Sequence, residues 1–377
     1  MQMPAERGGD ISSAAAPATP LISIVIPVYN AERDLTACLD AVTGQSFSDF
    51  EIIAVNNGSA DKSPDILDAR AASELRLVIV HEDKIGPGLA RNIGAGLATG
   101  RYIWFVDADD AILPDCLAAI AERLESATPD VLLIDYELEY PDGSIVRSPD
   151  HATLVQVLPA SFTLSDQPRA MDLTMASWNK IIRTQFFSSI GVAFEEQTPH
   201  EEIPVTCLLL LEARRLSVLN LACYRYRKDA PGSLMTSGDR RRHFRVFDVW
   251  RIALDQVKKQ AYSGDDATTS VVYSAFFERA ISHCSYLLDA PARGARASSS
   301  PILVSPPDHG EFFENLHRLY IDYKPAQYRR PSGLKGVKFR QIEKNSYLAY
   351  WALLRLNGLR LSAKRSIGLG RGSGPRW

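Results

Sequence analysis

Cysteine is scarce in this sequence of 377 residues, and its five cysteines are scattered. No two of them form a Cys-x-x-Cys pair, so neither a zinc site nor a disulfide framework is expected, and a reducing cytosol is the simplest compartment. Long hydrophobic runs are also missing. The apolar run Tyr347–Leu354 is shorter than the ~18 residues that a membrane-spanning helix needs. The sequence therefore predicts a cytoplasmic protein.

The two ends of the chain differ in composition from its middle. Residues 1–20 are rich in Ala, Gly, Ser and Pro and lack the apolar core of a signal peptide, which predicts a disordered leader. Ile321–Trp377 contains 13 Lys and Arg against two acids, so it carries about +11 and the rest about −14. Such a basic segment favours contact with a membrane face or a phosphate-rich polymer, and is equally compatible with a solvated, partly disordered tail.

Buried-strand patterns alternate with helical patterns in the first half of the chain. Leu21–Val28, Phe50–Val55 and Tyr102–Val106 are continuous apolar runs separated by helical segments. This alternation predicts βαβ units and a parallel sheet with helices on both faces. Ligands bind such sheets beyond the carboxyl ends of the strands. The polar residues that follow these three runs are Asn30, Asn56–Ser59 and Asp107–Asp110.

Later segments are mainly helical in pattern. Trp178–Phe187 is predicted to be a helix, and so is Pro204–Ala213. Arg240–Leu288 has helical periodicity in its apolar and aromatic residues. We therefore expect a helical subdomain after the sheet.

The segment Asp107-Ala108-Asp109-Asp110 directly follows an apolar strand. Three carboxylates in four residues repel one another unless a cation is present. Asp107 and Asp109 point the same way along an extended chain, a spacing that suits Mg²⁺ or Mn²⁺ shared with substrate phosphates. The alternative is a helix start, in which Asp109 or Asp110 caps Leu113–Leu124.

Two blocks of sequence resemble the large inverting glycosyltransferase family 2. They are LISIVIPVYNAERDLTACLDAVTGQSFSDFEIIAVNNGSADKS and GPGLARNIGAGLATGRYIWFVDADD, and together they cover about Leu21–Leu117. Looser matches follow at Trp178–Lys180, Pro199–Glu202 and Tyr224–Met235, and Tyr320–Arg340 is similar to actinobacterial cell-wall members. The resemblance implies an α/β GT-A (Rossmann-like) fold with a mixed, mainly parallel sheet and a helical C-terminal subdomain. It also implies a nucleotide-sugar donor, taken to be a UDP-sugar, and a Mn²⁺ or Mg²⁺ ion.

Carried over position by position, the resemblance implies a donor site built from several loops. Arg91 and Asn92 would face the nucleotide and diphosphate, Asp107 would meet the ribose or the metal, and Asp109 would bind the metal. One departure affects the base: Asn56-Asn57 stands where the family has Asp-Asp. An asparagine accepts through its carbonyl oxygen but also donates. The remaining residues implied to contact the nucleotide are Pro27, Tyr29, Asn30, Asn57 and Ser59.

The catalytic base is harder to assign. An inverting transfer needs a carboxylate on the acceptor side, and Phe194–Val205 contains Glu195, Glu196, Glu201 and Glu202. Composition alone does not choose among them, and carboxylates at Glu201-Glu202 also suit the start of a helix. The resemblance implies that Glu202 is the base and that Glu201 supports it. Glu202 departs from the usual Asp.

These observations predict four segments: a leader (1–20), a GT-A glycosyltransferase domain (21–228), a helical subdomain (229–330) and a basic tail (331–377). The expected activity moves a sugar to a hydroxyl of a cell-surface glycan, a lipid-linked intermediate or a wall polymer. No nucleic-acid partner is expected, and the basic tail predicts peripheral contact with the inner membrane face.

Two other functions are alternatives to sugar transfer. A non-catalytic saccharide-binding or scaffold protein on the same fold is favoured by Asn56-Asn57 and Glu202. The intact Asp107/Asp109 pair argues against it. A nucleotidyltransferase needs a Gly-rich phosphate loop after the first strand, which Val28–Glu32 lacks.

Overall fold

The computed structural model describes residues 19–156, 158–196, 199–228, 241–261, 267–289, 304 and 306–366. The predicted leader lies outside the described residues except for its last two positions. The family-like segment Tyr224–Met235 lies outside them after Lys228.

The described strands form one mixed sheet in the order β3-β2-β1-β4-β9-β6-β10-β5, with β7 beside β6 and β8 beside β10. The longest pairings, β1 with β2 and β6 with β10, are parallel, whereas β9 runs antiparallel between β4 and β6. The strands are β1 (Ile22–Val28), β2 (Phe50–Asn57), β3 (Leu77–Glu82), β4 (Tyr102–Phe105), β5 (Ala111–Ile112), β6 (Val131–Glu139), β7 (Ile145–Arg147), β8 (Ser161–Phe162), β9 (Lys180–Arg183) and β10 (Leu216–Arg227).

Helices flank the sheet and make up the C-terminal region. None of the described helices is both long enough and apolar enough to span a bilayer. They are α1 (Leu35–Thr43), α2 (Ser63–Ala71), α3 (Pro87–Leu97), α4 (Cys116–Ala127), α5 (His151–Gln156), α6 (Thr184–Ser189), α7 (Glu202–Glu212), α8 (Arg245–Ala261), α9 (Ala267–Asp289), α10 (His309–Tyr323), α11 (Gly333–Glu343) and α12 (Tyr347–Ser366).

Both faces of the sheet are buried, which explains why its central strands are continuously apolar. Successive side chains of β2 alternate between two cores: Ile52 faces the core with α1, and Ile53 faces the core with α3. In β4, Trp104 and Phe105 divide in the same way. The α/β architecture predicted from the sequence is confirmed, and the carboxyl ends of β1, β2 and β4 share one edge.

The predicted helix Trp178–Phe187 is wrong. Residues Lys180–Arg183 form β9, which pairs antiparallel with β4 and β6. Ile181 is buried in one core and Ile182 in the other, so the segment has apolar contacts on both faces, as a central strand requires. A short helix, α6, begins only at Thr184.

The segment predicted as a basic tail contains ordered helices. Within residues 331–377, α11 and α12 place Phe339, Ile342 and Tyr350 in the core. Phe313 of α10 packs against Tyr350, with ring centroids 5.1 Å apart. The helical C-terminal region therefore extends at least to Ser366.

Candidate functional site

The loop after β1 is tied to the loop after β2 by reciprocal hydrogen bonds. The backbone N–H of Asn30 donates to Ser59 Oγ at 3.0 Å, and the N–H of Ala60 donates to Asn30 Oδ1 at 2.8 Å. Asn30 has a left-handed backbone (φ 48°), which asparagine tolerates better than most residues. Tyr29 stays 37% exposed at this edge. The structure thus joins Asn30 and Ser59 at the edge where Tyr29 is exposed, and the predicted contact of these residues with the nucleotide stays a prediction.

Asn57 is buried, and the structure gives a reason for asparagine at this position. Its Nδ2 donates to the Lys84 carbonyl oxygen, and its Oδ1 accepts from the N–H of Gly86 at 2.6 Å. A carboxylate would face the Lys84 oxygen with no proton to share, so an aspartate would leave that acceptor unpaired. The side chain holds the loop before α3, and its predicted contact with the base stays a prediction.

Asn56 is bound differently from its neighbour. Its Nδ2 lies 3.1 Å from His81 Nδ1 on β3, while its Oδ1 is buried and has no hydrogen-bond partner among the described residues. The two asparagines that replace the usual acids therefore have different surroundings. The nitrogen and the oxygen of the Asn57 side chain are both hydrogen-bonded. Asparagine in place of the usual aspartates therefore holds the loop before α3 and avoids two adjacent negative charges.

The aspartate turn, Asp107–Asp110, is held by a tyrosine from β10. Tyr224 Oη donates to Asp110 Oδ2 at 2.7 Å and accepts from the N–H of Asp107 at 3.1 Å. Asp110 Oδ1 also accepts from the N–H of Arg227 at 2.8 Å. Asp110 is fully buried, so its role is structural, whereas Asp107 and Asp109 are partly exposed.

The electrostatics of this turn fit a divalent cation. Burial, followed by the nearby charge of Asp107, raises the pKa of Asp109 to about 6. A cation would relieve this repulsion, and carboxylate oxygens are ligands that Mg²⁺ and Mn²⁺ accept. Among the described residues, no cluster of three or more His, Cys, Asp or Glu is arranged to hold a metal. Asp107 and Asp109 would therefore share the ion with substrate oxygens.

Arg91 of α3 links two carboxylates from different parts of the chain. Its guanidinium donates to Asp107 Oδ1 at 2.7 Å and also to Glu201 Oε1. Burial favours the neutral arginine, but Asp107 and Glu201 outweigh this effect and raise its pKa. Arg91 is thus a fixed cation between the aspartate turn and the start of α7, and its predicted contact with the diphosphate stays a prediction.

Asn92, next to Arg91, binds the backbone of Phe194. Its Nδ2 donates to the Phe194 oxygen at 2.9 Å, and the Phe194 N–H donates to its Oδ1 at 2.8 Å. The backbone of this segment comes so close to α3 that a Cβ at Gly88 would lie 2.0 Å from the Glu195 oxygen. Helix α3 therefore holds the backbone of Phe194 and Glu195, which precede the predicted base in the chain.

Glu201 and Glu202 begin α7, and their environments differ. Glu201 is buried against Arg91, while Glu202 is partly exposed. Burial, followed by the charge of Glu201, raises the pKa of Glu202 to about 8. His200, just before them, has a left-handed backbone (φ 67°), a strained conformation of the kind that clusters at functional sites. The assignment of Glu202 as the base, with Glu201 in support, stays a prediction.

The exposed carboxylates in the same segment lack these features. Glu195 and Glu196 are exposed. Sequence reasoning did not identify the roles of Tyr224, Asp110 or Phe194. Tyr224 lay within a family-like segment, but only the fold shows that its hydroxyl reaches the aspartate turn.

The hydroxyl of Tyr224 supplies a testable prediction. Tyr224→Phe should lower the free energy of unfolding by about 1–3 kcal/mol, because the buried Asp110 carboxylate loses its donor. UDP binding in the presence of Mn²⁺ should weaken as well, because the aspartate turn shifts. Chemical denaturation and calorimetry measure the two effects.

Tyr136→Phe is the matched control, since Tyr136 is the register partner of Tyr224 but its hydroxyl lies 2.8 Å from Thr174 Oγ1 and not against the aspartate turn. Tyr136→Phe should lower the free energy of unfolding without changing the affinity for UDP. Equal losses of UDP affinity in the two variants would contradict a specific role for Tyr224.

A family model matches part of this chain. Residues 23–190, just under half of the chain, match the family model described as glycosyl transferase family 2. This part of the chain is similar to family 2 glycosyltransferases, as the sequence predicts.

Individual relatives agree with this assignment. EpsJ of Bacillus subtilis, an uncharacterized glycosyltransferase, is 30% identical over 217 residues, or 57% of this chain and 63% of EpsJ. The poly(ribitol-phosphate) β-N-acetylglucosaminyltransferase TarS of Staphylococcus aureus is 28% identical over 219 residues, or 57% of this chain and 37% of TarS. This chain thus spans less than two thirds of the length of either protein.

A solved structure shares the fold. The crystal structure of S. aureus TarS 1-349 in complex with UDP-GlcNAc superimposes with a TM-score of 0.65 at 21% identity, covering 89% of this chain and 90% of that one. This similarity confirms the GT-A fold and the helical C-terminal region.

Proposed function

We propose that this protein is an inverting glycosyltransferase that takes its sugar from a UDP-sugar. The observation that carries the proposal is the link through Arg91, which joins Asp107 to Glu201. A sugar transferase needs one group of residues for the donor and a carboxylate for the acceptor. In this chain, the buried guanidinium of Arg91 holds Asp107 on the donor side and Glu201 beside the proposed base. The UDP-GlcNAc bound to the related TarS structure supports the choice of donor.

The chemistry assigned to the chain's own residues is limited. Glu202, in its carboxylate form, removes the proton of the acceptor hydroxyl as that oxygen attacks the anomeric carbon, whose bond to the diphosphate oxygen breaks so that UDP leaves. Glu201 and Arg91 set the position of the base through α7. Tyr29, Asn30 and Ser59 form the surface beneath the nucleoside, and Tyr224 keeps the aspartate turn in place.

Asp107 and Asp109 are the residues that would hold Mn²⁺ or Mg²⁺. When bound, the ion would neutralise charge that develops on the leaving diphosphate. Calorimetry with UDP, with and without Mn²⁺, tests this assignment directly. Tighter UDP binding in the presence of Mn²⁺ supports the assignment. A UDP affinity that is the same with Mn²⁺ and with EDTA contradicts it.

A glycan, lipid-linked or wall-polymer acceptor is supported by the relatives, since TarS is named for a poly(ribitol-phosphate) acceptor. The second candidate function is a non-catalytic saccharide-binding protein. It is favoured by Asn57, whose side-chain nitrogen and oxygen each bind the backbone of the loop before α3. UDP binding without turnover on any acceptor would favour this second function.

We also propose contact with an anionic membrane surface through α12. Leu348 and Leu356 are 81% and 64% exposed on this helix, which also carries Arg355. Exposed apolar side chains next to cations suit a bilayer interface. The chain should therefore sediment with phosphatidylglycerol vesicles at low salt and be released at high salt, because salt screens surface attraction.

Leu348→Ser with Leu356→Ser should reduce this sedimentation. The control is Leu75→Ser, since Leu75 is 97% exposed and lies between α2 and β3. Equal recovery in the supernatant at low and high salt would reject the membrane contact.

A further inference from the structure

A cleft lined by cations lies in the C-terminal helical region. It has a volume of about 500 Å³ and is bounded by the end of α10, the loop that follows it and α11. None of the residues assigned to the donor or the base lines it. Its cationic residues are Lys324, Arg329, Arg330 and Arg340.

The shape of the cleft depends on close packing between the loop and α11. A Cβ at Gly336 would lie 1.8 Å from the Pro331 carbonyl oxygen, so only glycine allows this approach. Pro331 directly follows Arg329 and Arg330. The loop that presents these two arginines is thus held against the helix that carries Arg340.

The charges of the cleft are only partly balanced. Lys324 and Arg330 share one acid, Glu343, with Lys324 Nζ 2.5 Å from its Oε1. Within the described part of the chain, neither Arg329 nor Arg340 has a carboxylate at ion-pair distance. Four cations against one acid leave an excess of about three positive charges, which favours an anion.

The first turn of α11 adds backbone donors at the same place. Helix α11 has 11 residues and begins at Gly333, which lines the cleft, and Ser332 before it makes no capping hydrogen bond through its side chain. Free N–H groups at a helix start favour phosphate, and arginine is the side chain best matched to phosphate oxygens.

We propose that this cleft binds phosphate groups of a soluble phosphodiester chain. A concave cleft of this size encloses a phosphate group, whereas a bilayer surface is flat and meets protruding side chains such as those of α12. The inference rests on the proposed function only in that such a chain would be part of the acceptor. Binding itself requires no sugar transfer.

Calorimetry of the full chain with a synthetic glycerol phosphate hexamer tests the proposal. Excess UDP keeps the donor site filled, and UDP affinity is measured separately for each variant. Arg329→Gln with Arg340→Gln should weaken hexamer binding by at least about tenfold, because two charge-assisted hydrogen bonds are lost. The control, Arg214→Gln with Lys259→Gln, removes two exposed cations elsewhere and should bind as the wild type does.

Two other results overturn the proposal, and a third concerns the donor site alone. Equal hexamer affinity in the cleft variant and the control would remove the cleft as the binding site. If the wild type does not bind the hexamer but binds phosphatidylglycerol vesicles, and Arg329→Gln with Arg340→Gln abolishes the vesicle binding, the cleft is a membrane contact. Failure to bind UDP would count against the donor site and the proposed function, and would leave the hexamer result to decide the cleft on its own.

Discussion

Glu202→Gln should lower the rate of sugar transfer by ~10²-fold or more, the range expected when a general base is lost. The amide keeps the size of the side chain but cannot take the proton of the acceptor hydroxyl. UDP binding and its dependence on Mn²⁺ should stay unchanged, because Glu202 lies on α7 and not on the aspartate turn. Steady-state transfer and calorimetry with UDP measure the two properties.

The neighbouring carboxylates provide matched controls. Glu195→Gln alters an exposed carboxylate of the same segment and should transfer normally. Glu201→Gln should weaken the ion pair with Arg91 and disturb both sides of the site. Full transfer activity of Glu202→Gln would show that Glu202 is not the base, whatever the activity of Glu201→Gln.

The pH dependence of transfer follows from the same residue. The pKa of Glu202 is raised to about 8 by its burial and by the charge of Glu201. Below that pH the carboxyl is protonated and cannot act as a base, so the rate should rise as pH increases through about 8. Glu202→Gln should lose this rise along with its activity.

Asp109→Ala should abolish transfer together with the Mn²⁺-dependent part of UDP binding. The side chain is one of two carboxylates that would hold the ion, and burial beside Asp107 raises its pKa to about 6. Because removing Asp109 relieves this repulsion, the fold should survive, and thermal unfolding should show little loss of stability. Calorimetry in Mn²⁺ and in EDTA separates the metal-dependent binding from the rest.

Asp68→Asn is the control for Asp109→Ala, because Asp68 is exposed on α2. It should behave as the wild type does. Full activity of the wild-type chain in EDTA, or Mn²⁺-dependent UDP binding in Asp109→Ala, would show that the metal does not act through this residue.

Much of the fold could be predicted because the central strands are buried on both faces. Strands such as β1 and β2 are mostly apolar, and polar residues lie at or just after their carboxyl ends. Burial on both faces also explains why β9 was predicted to be part of a helix. Ile181 and Ile182 are buried in different cores, a pattern that one sequence cannot distinguish from a buried helix until the neighbouring strands are known.

The residue types of the candidate site could be predicted from the sequence. The hydrogen bonds and ion pairs that join these residues could not. Local sequence indicates Asp107 and Asp109, and the resemblance adds Glu202. The Arg91 link to Glu201 joins residues 110 positions apart, and the Tyr224 hydrogen bond to Asp110 joins residues 114 apart. Contacts of this kind depend on how β10 and α7 pack against the sheet, and no local pattern encodes that packing.

Release of UDP from UDP-GlcNAc and other UDP-sugars, measured without an acceptor, tests the central claim most directly. We expect the wild type to hydrolyse at least one UDP-sugar slowly, and we expect EDTA and Asp109→Ala to stop this hydrolysis. The Asp68→Asn control should release UDP at the wild-type rate. If no UDP-sugar is hydrolysed and UDP itself does not bind, the chain is not a UDP-sugar-dependent transferase.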